Sequence, residues 1–422
     1  MSSKITAPRG TQDFLPAQTG RWEELESRIH VLAHRYGYGE IRTPVFEATE
    51  LFVRGVGDTT DIVEKEMYTF EDKGGRSMTL RPEWTAPVMR AALQHNLFNE
   101  GPQRLYYIGP IFRYERPQAG RYRQAHQFGI ECTGYAGPEA DVEVISLGMH
   151  LFRSYGLTPE LHLNSIGDEQ CRPKYREALL AHFRPHAQSL SEDSQRRLER
   201  NPLRLLDSKS PQDQAVLDSA PKFEEYLCDA CREHFDAVKR YLTQLGIPFT
   251  VNPRIVRGLD YYSRTVFEFV SDALGAQSTV CAGGRYDDLI KSLGGPNVPA
   301  VGFGLGLERL LMTIEAAGAA AENERRGIQV IALGPQARSV LVILAALLRY
   351  AINMPIFMDF EDRKLLAHLK TADRNNARYA LIVGTDELKE GQAVLRDLEQ
   401  RTDTRLPLGK DLVPQLVEIV EA

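Results

Sequence analysis

The 422-residue chain reads as an α+β protein in two main parts. One is a strand-and-helix region split by a helical insertion, and the other is a small C-terminal α/β domain. Three observations predict this. Paired strand patterns near the N-terminus meet at glycine turns, the signature of hairpins. From about Cys171 to Leu245 strand signals vanish and charged helical patterns dominate. Beyond the alanine-rich stretch at 316–326, apolar strands and helices alternate, which predicts a mostly parallel sheet.

The elements follow in order. Trp22, Leu25, Ile29, Leu32 and Tyr36 recur at helical spacing behind Thr19, an N-cap candidate, and Gly37 supplies a stop. Glu40 to Glu47 reads as a strand; Pro44 within it cannot donate to a ladder and points to an edge or interface position. Met67–Asp72 and Arg76–Pro82 form a hairpin, and a helix is expected to begin around Pro82. Arg104–Glu115 and Ala125–Tyr135 are two more strands, joined by a polar, arginine-rich segment. After the insertion, strands return at 249–256, 261–270 and 278–284. A glycine-spaced strand, AVGFG, then runs into an apolar helix. In the last part IQVIALG, PIFMDF and YALIVG are strands, separated by the helices SVLVILAALLRYA and KLLAHLKTADRN.

Composition narrows the function classes. Lys and Arg number 51 against 57 Asp and Glu, a net charge of −6. A uniformly basic nucleic-acid coat is excluded, although a local basic patch is not. No apolar run approaches the ~18 residues needed to span a bilayer, and the N-terminus lacks the apolar core of a secretory signal. The reading is a cytoplasmic protein without membrane attachment. Five cysteines, an odd and sparse set, suit a reducing compartment. Cys228 and Cys231 form a C-x-x-C with His234 three residues on. A structural zinc site normally needs four ligands, often as two such pairs. No second C-x-x-C exists, so two thiols and an imidazole on a helix surface are expected, and no metal.

Several stretches carry chemistry. In a strand, alternate residues share a face. That groups Arg113 with Glu115, and Ala125 with Gln127, Gly129 and Glu131. A sheet face bearing such groups is either solvated or covered by a ligand. Between these strands lie Arg116, Gln118, Gly120, Arg121, Tyr122 and Arg123, which suit phosphates and bases as well as they suit a solvated loop. GFGLGLER (Gly302 to Arg309) sits at a strand-to-helix junction. It is not G-x-G-x-x-G, and no G-x-x-x-x-G-K-[ST] loop occurs, so both usual nucleotide loops are missing. Its glycines let helix and strand pack closely, and Arg309 falls near a first helical turn, where anions are favoured. RGLDYY (Arg257 to Tyr262) is a polar strand end in which Arg257 could simply pair with Asp260. CAGGRYD reads as a turn carrying Arg285 and Tyr286. Glu83 and Thr85 are adequately explained as first-turn capping residues.

Taken in order, the Pro-bearing strand, FRYE with its arginine loop, and GFGLGLER resemble the three motifs of class II aminoacyl-tRNA synthetases. RGLDYYSRTVFEF, AGGRYDDL, RPEWTAP, YERPQAGRYRQ and RLLDSK resemble segments peculiar to the histidyl-tRNA synthetase family. The resemblance implies an antiparallel catalytic sheet flanked by helices, built from 1–170 and 246–318, with the helical insertion at 171–245. A linker at 319–326 and an anticodon-binding α/β domain at 327–422 complete the implied chain, which would act as a homodimer. The implied activity is ATP-dependent conversion of L-histidine to histidyl-adenylate and transfer to the 3′-terminal ribose of histidine tRNA.

The resemblance also implies roles. Arg113 and Arg257 are the catalytic pair, Arg113 meeting both the α-phosphate and the histidine carboxylate. Arg309 holds the far phosphates and lies against adenine, Glu115 meets the adenine edge, and Mg²⁺ assists at the β- and γ-phosphates. Glu83, Thr85 and Gln127 are candidates for the histidine ammonium. Glu131 and Tyr262 are candidates for the two imidazole nitrogens, with Tyr261 and Tyr286 closing the pocket. Arg116 and Gln118 resemble residues that read the extra 5′ guanosine of the tRNA; Arg121 and Arg123 share their loop. Arg363, Lys364, Lys370, Arg374 and Arg378 form a basic run in the last domain, suited to phosphates or to a solvated helix face. Ala125 stands where the family usually has Phe over adenine, and Tyr122 is the nearest aromatic replacement. Two relatives stand as alternatives: the regulatory subunit of ATP phosphoribosyltransferase, which typically lacks the C-terminal domain, and class II synthetases for other amino acids, which depart at RGLDYY and Glu131.

Overall fold

The computed structural model describes residues 4–57, 60–256, 259–271, 279–319 and 325–421. The chain divides into two compact units, Met1–Ala319 and Ala320–Ala422. The strands of the first unit are β1 (Gly39–Glu40), β2 (Phe46–Ala48), β3 (Tyr68–Glu71), β4 (Ser77–Leu80), β5 (Gln103–Phe112), β6 (Gln124–Thr133), β7 (Glu160–Ser165), β8 (Thr250–Val251), β9 (Ser263–Val270), β10 (Thr279–Arg285) and β11 (Ala300–Gly306). Eight of them form one sheet in the order β1-β5-β6-β11-β10-β9-β7-β8, and β2, β4 and β3 form a separate antiparallel sheet. The six central strands pair antiparallel, whereas the short edges β1 and β8 pair parallel. An antiparallel central sheet flanked by helices is thus the architecture of this unit.

Proline and glycine explain where the elements depart from expectation. The first helix is Pro16–Arg35, so Thr19 lies inside it; Pro16 starts it, and the Gln18 side chain accepts the Leu15 N–H at 3.1 Å. Pro44 divides the expected strand at 40–47 into β1 and β2. The carbonyls of Thr43 and Pro44 instead accept bonds from Arg81 Nη1, at 2.9 and 3.2 Å. The helix expected at Pro82 begins at Thr85. β5 ends at Phe112, so Arg113 and Glu115 stand in the loop beyond it, where the Arg113 N–H still bonds the Arg123 carbonyl at 2.9 Å. The strand expected at 249–256 shrinks to β8, because Pro253 cannot donate to a ladder.

One face of the sheet is covered by the helix Pro138–Arg153, which buries Val144, Ile145, Leu147, Leu151 and Phe152. Gly148 permits the close approach: a Cβ there would lie 2.9 Å from the Phe269 ring. Under this helix Arg285, fully buried, donates to Asp141 at 2.5 and 3.1 Å and to the carbonyls of Tyr135 and Gly137, both at 2.9 Å. Between Cys171 and Leu245 the chain forms helices only, around Tyr175, Leu179, Phe183, Leu198, Leu217 and Phe223.

The second unit has β12 (Ile328–Ala332), β13 (Ile356–Met358), β14 (Tyr379–Val383), β15 (Gln392–Asp397) and β16 (Thr402–Pro407), in the order β13-β12-β14-β15-β16. The first three are parallel, as alternation with helices requires; β15 and β16 add an antiparallel hairpin that the sequence reading did not anticipate. Among the described residues no helix is long and apolar enough to cross a membrane.

Candidate active site

Register explains why the centre of the sheet is hollow. Gly302, Gly304 and Gly306 of β11 stand opposite Glu131, Gly129 and Gln127 of β6, so all six share one face. A Cβ on Gly304 would lie 2.1 Å from Gln127 Nε2, one on Gly302 would lie 2.3 Å from Glu131 Oε2, and one on Gly129 would lie 2.2 Å from the Tyr107 hydroxyl. The glycines of GFGLG therefore make room for polar side chains lying across the strands. Above this floor opens a cavity of about 620 Å³.

Most of the sequence-selected residues converge on this cavity. Glu83, Thr85, Arg113, Glu115, Arg121, Gln127, Tyr261, Tyr262, Tyr286 and Arg309 all line it. Glu131 lies just beneath the wall, with 1% of its surface exposed. It accepts from the Thr85 hydroxyl at 2.8 Å, from the Tyr107 hydroxyl at 3.1 Å and from the Tyr286 hydroxyl. Burial outweighs these donors and pushes the Glu131 carboxyl up to about 8. Arg257 lies outside the described residues. Arg116 and Gln118 are exposed on the loop rather than in the cavity. Arg123 is packed away from it, its guanidinium 4.0 Å from the Tyr114 ring centre.

The cavity has two chemically distinct ends. At one, Glu83 caps the helix Thr85–Gln94, accepting the Thr85 N–H at 2.7 Å and the Ala86 N–H at 2.9 Å; burial nevertheless raises its pKa. Gln127 Oε1 is buried with no hydrogen-bond partner among the described residues. Such an orphaned acceptor costs about 1–3 kcal/mol unless a ligand supplies a donor. Tyr261 packs edge-on against Tyr286, with ring centres 5.5 Å apart.

The other end gathers cations. Arg309 is held by main-chain oxygens, donating from Nε to Gly120 at 2.9 Å and from Nη1 to Thr279 at 2.6 Å. Arg113 donates from Nε to Pro82 at 2.7 Å. Glu115 sits between, 3.2 Å from Arg121 and 3.8 Å from Arg113. Burial and the nearby charges of Arg121 and Arg113 pull the Arg309 guanidinium below its usual range. Three guanidinium groups held this close are a receptor for a polyanion.

Sequence reasoning passed over several lining residues. Glu308, beside Arg309, accepts the His126 N–H at 3.0 Å and meets His126 Nδ1 at 2.9 Å. Asp207 and Lys209 also line the cavity; they belong to RLLDSK, a stretch noticed without a role. Ala125 and Tyr122 both line it, so the missing Phe is accompanied by a nearby aromatic. In the second unit, Arg363 is bonded to Glu361 at 2.8 Å and Arg378 lies 3.6 Å from Asp397, which offsets part of that basic run. His234 leaves the C-x-x-C: it is buried and meets Asp141 at 3.2 Å, and Cys231 is buried as well, so this group does not sit on a helix surface.

Gly304→Ala offers a direct check on the floor. The new methyl displaces the Gln127 amide, so a cationic ligand of that acceptor is expected to bind about tenfold or more weakly, the value of one hydrogen bond to a charged group. Binding of a polyanion at the arginine end should stay the same. Unchanged binding of the cationic ligand would remove Gln127 from ligand binding.

The comparisons with known proteins bear on the same residues. A family model described as histidyl-tRNA synthetase matches residues 10–310, and one described as anticodon binding domain matches 328–417. The histidine–tRNA ligase of Desulforudis audaxviator is 51% identical over 409 residues, covering 96% of this chain and 97% of that one. The ligase of Geobacillus sp. WCH70 is 50% identical over 407 residues, covering 95% and 96%. The crystal structure of apo S. aureus histidyl-tRNA synthetase superposes with a TM-score of 0.82 at 36% identity, across 99% of this chain and all of that one. With half its residues shared along nearly the full length of these ligases, the chain belongs to the histidyl-tRNA synthetase family.

Proposed function

We propose that this chain is a histidine–tRNA ligase. It activates L-histidine with ATP, releasing pyrophosphate, and passes the histidyl group to the terminal ribose of histidine tRNA. The observation that carries this reading is the two-ended cavity: a cluster of three arginines at one end, and at the other an orphaned acceptor with buried carboxyls and tyrosines.

The roles follow from the chemistry of each end. Arg113 orients the histidine carboxylate against the α-phosphate and neutralises charge that grows there in the transition state. Arg309 and Arg121 hold the outer phosphates. Gln127 and Glu83 take the substrate ammonium, while Tyr262 and Glu131 with its ring of hydroxyls recognise the imidazole. A site that pairs both imidazole nitrogens rejects amino acids that lack them, because its own buried groups would be stranded. The carboxylates of Glu115 and Glu268 line the cavity and are oxygen donors of the kind that Mg²⁺ prefers, so a Mg²⁺ arriving with ATP fits there. Glu115 and Glu268 would hold such an ion, which when bound would supply charge neutralisation at the β- and γ-phosphates.

We assign 1–170 and 246–318 to the catalytic domain, 171–245 to its insertion, 319–326 to a linker and 327–422 to anticodon binding. The loop residues Arg116, Gln118 and Arg123 are assigned to the acceptor end of the tRNA, whereas Arg121, read from the sequence with them, lines the cavity and is assigned to ATP. A cytoplasmic homodimer is the expected setting. The regulatory-subunit alternative is weakened by the anticodon-domain match at 328–417.

The test is ATP–pyrophosphate exchange with the purified chain across all the standard amino acids, followed by charging of histidine tRNA. Exchange with histidine alone is expected. Exchange driven by a different amino acid, or none with histidine, overturns the assignment.

A further inference from the structure

A second cluster lies away from the cavity, where the helical insertion leaves and rejoins the sheet. Asp168 and Cys171 stand between β7 and the helix Arg172–Phe183. Cys228 and Cys231 stand at the start of the helix Asp229–Gln244. One ligand atom from each of the four lies within 4.8 Å of all the others. Some separations are already shorter: Cys171 Sγ is 3.4 Å from Asp168 Oδ1, and Cys228 Sγ is 3.9 Å from Asp168 Oδ2.

We propose that Asp168, Cys171, Cys228 and Cys231 form a closed, structural zinc site. Two segments each supply a pair of donors with the same two-residue spacing, D-x-x-C and C-x-x-C. That spacing lets both members of a pair reach one ion. Zn–S bonds of about 2.3 Å set tetrahedral ligand separations near 3.8 Å, so the quartet closes on an ion by contracting roughly an ångström at most. Thiolates exclude Mg²⁺ and Ca²⁺ as preferred occupants, and a carboxylate in the set disfavours Cu(I); three thiols with one carboxylate suit borderline-soft zinc.

The surroundings are arranged for such an ion. The Cys228 N–H points at Cys171 Sγ, 3.2 Å away, and the Gln170 N–H donates to Asp168 Oδ1 at 3.1 Å. Bonds of this kind orient ligands from behind. Gly167, at φ +58°, makes the turn that folds Asp168 back towards Cys171; a Cβ there would lie 2.5 Å from that cysteine's own Cβ. Cys171 and Cys231 are buried while Asp168 and Cys228 are half-buried, which leaves a way in for the ion. The three thiols form no disulfide. Arg264, 3.9 Å from Asp168 Oδ2, offsets the negative charge that three thiolates and a carboxylate would leave on a zinc complex. The occupied site would pin the first and last helices of the insertion to each other at its root.

The test is metal analysis of the full chain purified under reducing conditions. About one zinc per chain is expected. Co²⁺ substitution should give the visible bands of a tetrahedral ion together with thiolate charge-transfer absorption. Cys228→Ser should lose the zinc. Asp168→Cys should keep it and strengthen the charge-transfer band, which separates loss of a ligand from loss of the fold. Cys132→Ser, remote from the cluster, should leave zinc content unchanged. A reduced, zinc-supplemented chain that retains no zinc overturns the proposal. So does a zinc content that survives joint replacement of Cys171, Cys228 and Cys231 by serine, or a Co²⁺ spectrum without thiolate bands.

Discussion

Arg113→Ala is expected to slow histidine-dependent pyrophosphate exchange by about 10²- to 10³-fold, the usual cost of removing one fixed donor from a developing charge. The side chain is anchored by a single bond to the Pro82 carbonyl and a 3.8 Å approach to Glu115, so the fold should lose only about 1 kcal/mol. The contrast between large kinetic and small thermal effects is the signature to look for. Arg309→Ala should fall more heavily on the KM for ATP, since that group faces the outer phosphates. Exchange within about threefold of the parent chain after Arg113→Ala would remove this arginine from the chemistry.

The largest effect on stability is expected at Arg285. Its guanidinium and the Asp141 carboxylate are both fully buried, and each is the other's main compensation. Arg285→Met leaves the buried Asp141 charge with the His234 contact alone and should cost about 3–5 kcal/mol, read as denaturant midpoint shift. Adding Asp141→Leu should recover most of that loss; a double variant no better than the single one would show that the pair's packing, not its charge, is at stake. The pH dependence carries a sign. Burial alone would push the Asp141 carboxyl up, but the Arg285 charge and the His234 bond outweigh it and hold it at about 2. Its unfolded value is higher, so its contribution is complete above about pH 4 and is lost as pH falls through 2. The lost part amounts to roughly 2–3 kcal/mol, and an Asp141→Leu, Arg285→Met chain should lack that acid-side decline.

How much of this was legible beforehand varies with the physics involved. Period-two alternation correctly grouped Gln127, Gly129 and Glu131, because a strand fixes side-chain direction by geometry alone. The same rule was stretched too far at Arg113 and Glu115, which share the face only through a loop bond beyond the end of β5. The glycines of GFGLG were read as aids to helix packing; their main work, clearing space for side chains of the neighbouring strand, depends on register, which one strand's sequence does not contain. β15 and β16 escaped notice because β16 is polar and largely exposed, β15 mixes polar residues with only three apolar ones, and no crossover helix marks them. A metal at Cys228, Cys231 and His234 was discounted for want of a second C-x-x-C. An aspartate in one thiol's place hides that pair from a search for cysteines alone.

Arg309 deserves a last consideration for the way it is held. Both of its partners are peptide oxygens, at Gly120 and Thr279. Every residue type carries such an oxygen, so exchange of side chains at those positions does not by itself abolish the hold; only a shift of the main chain does. Gly120 is the weak point, since its φ of +71° resists replacement by any residue with a β-carbon. Over long lineages the cationic end of the pocket should therefore tolerate drift at position 279 and punish it at 120.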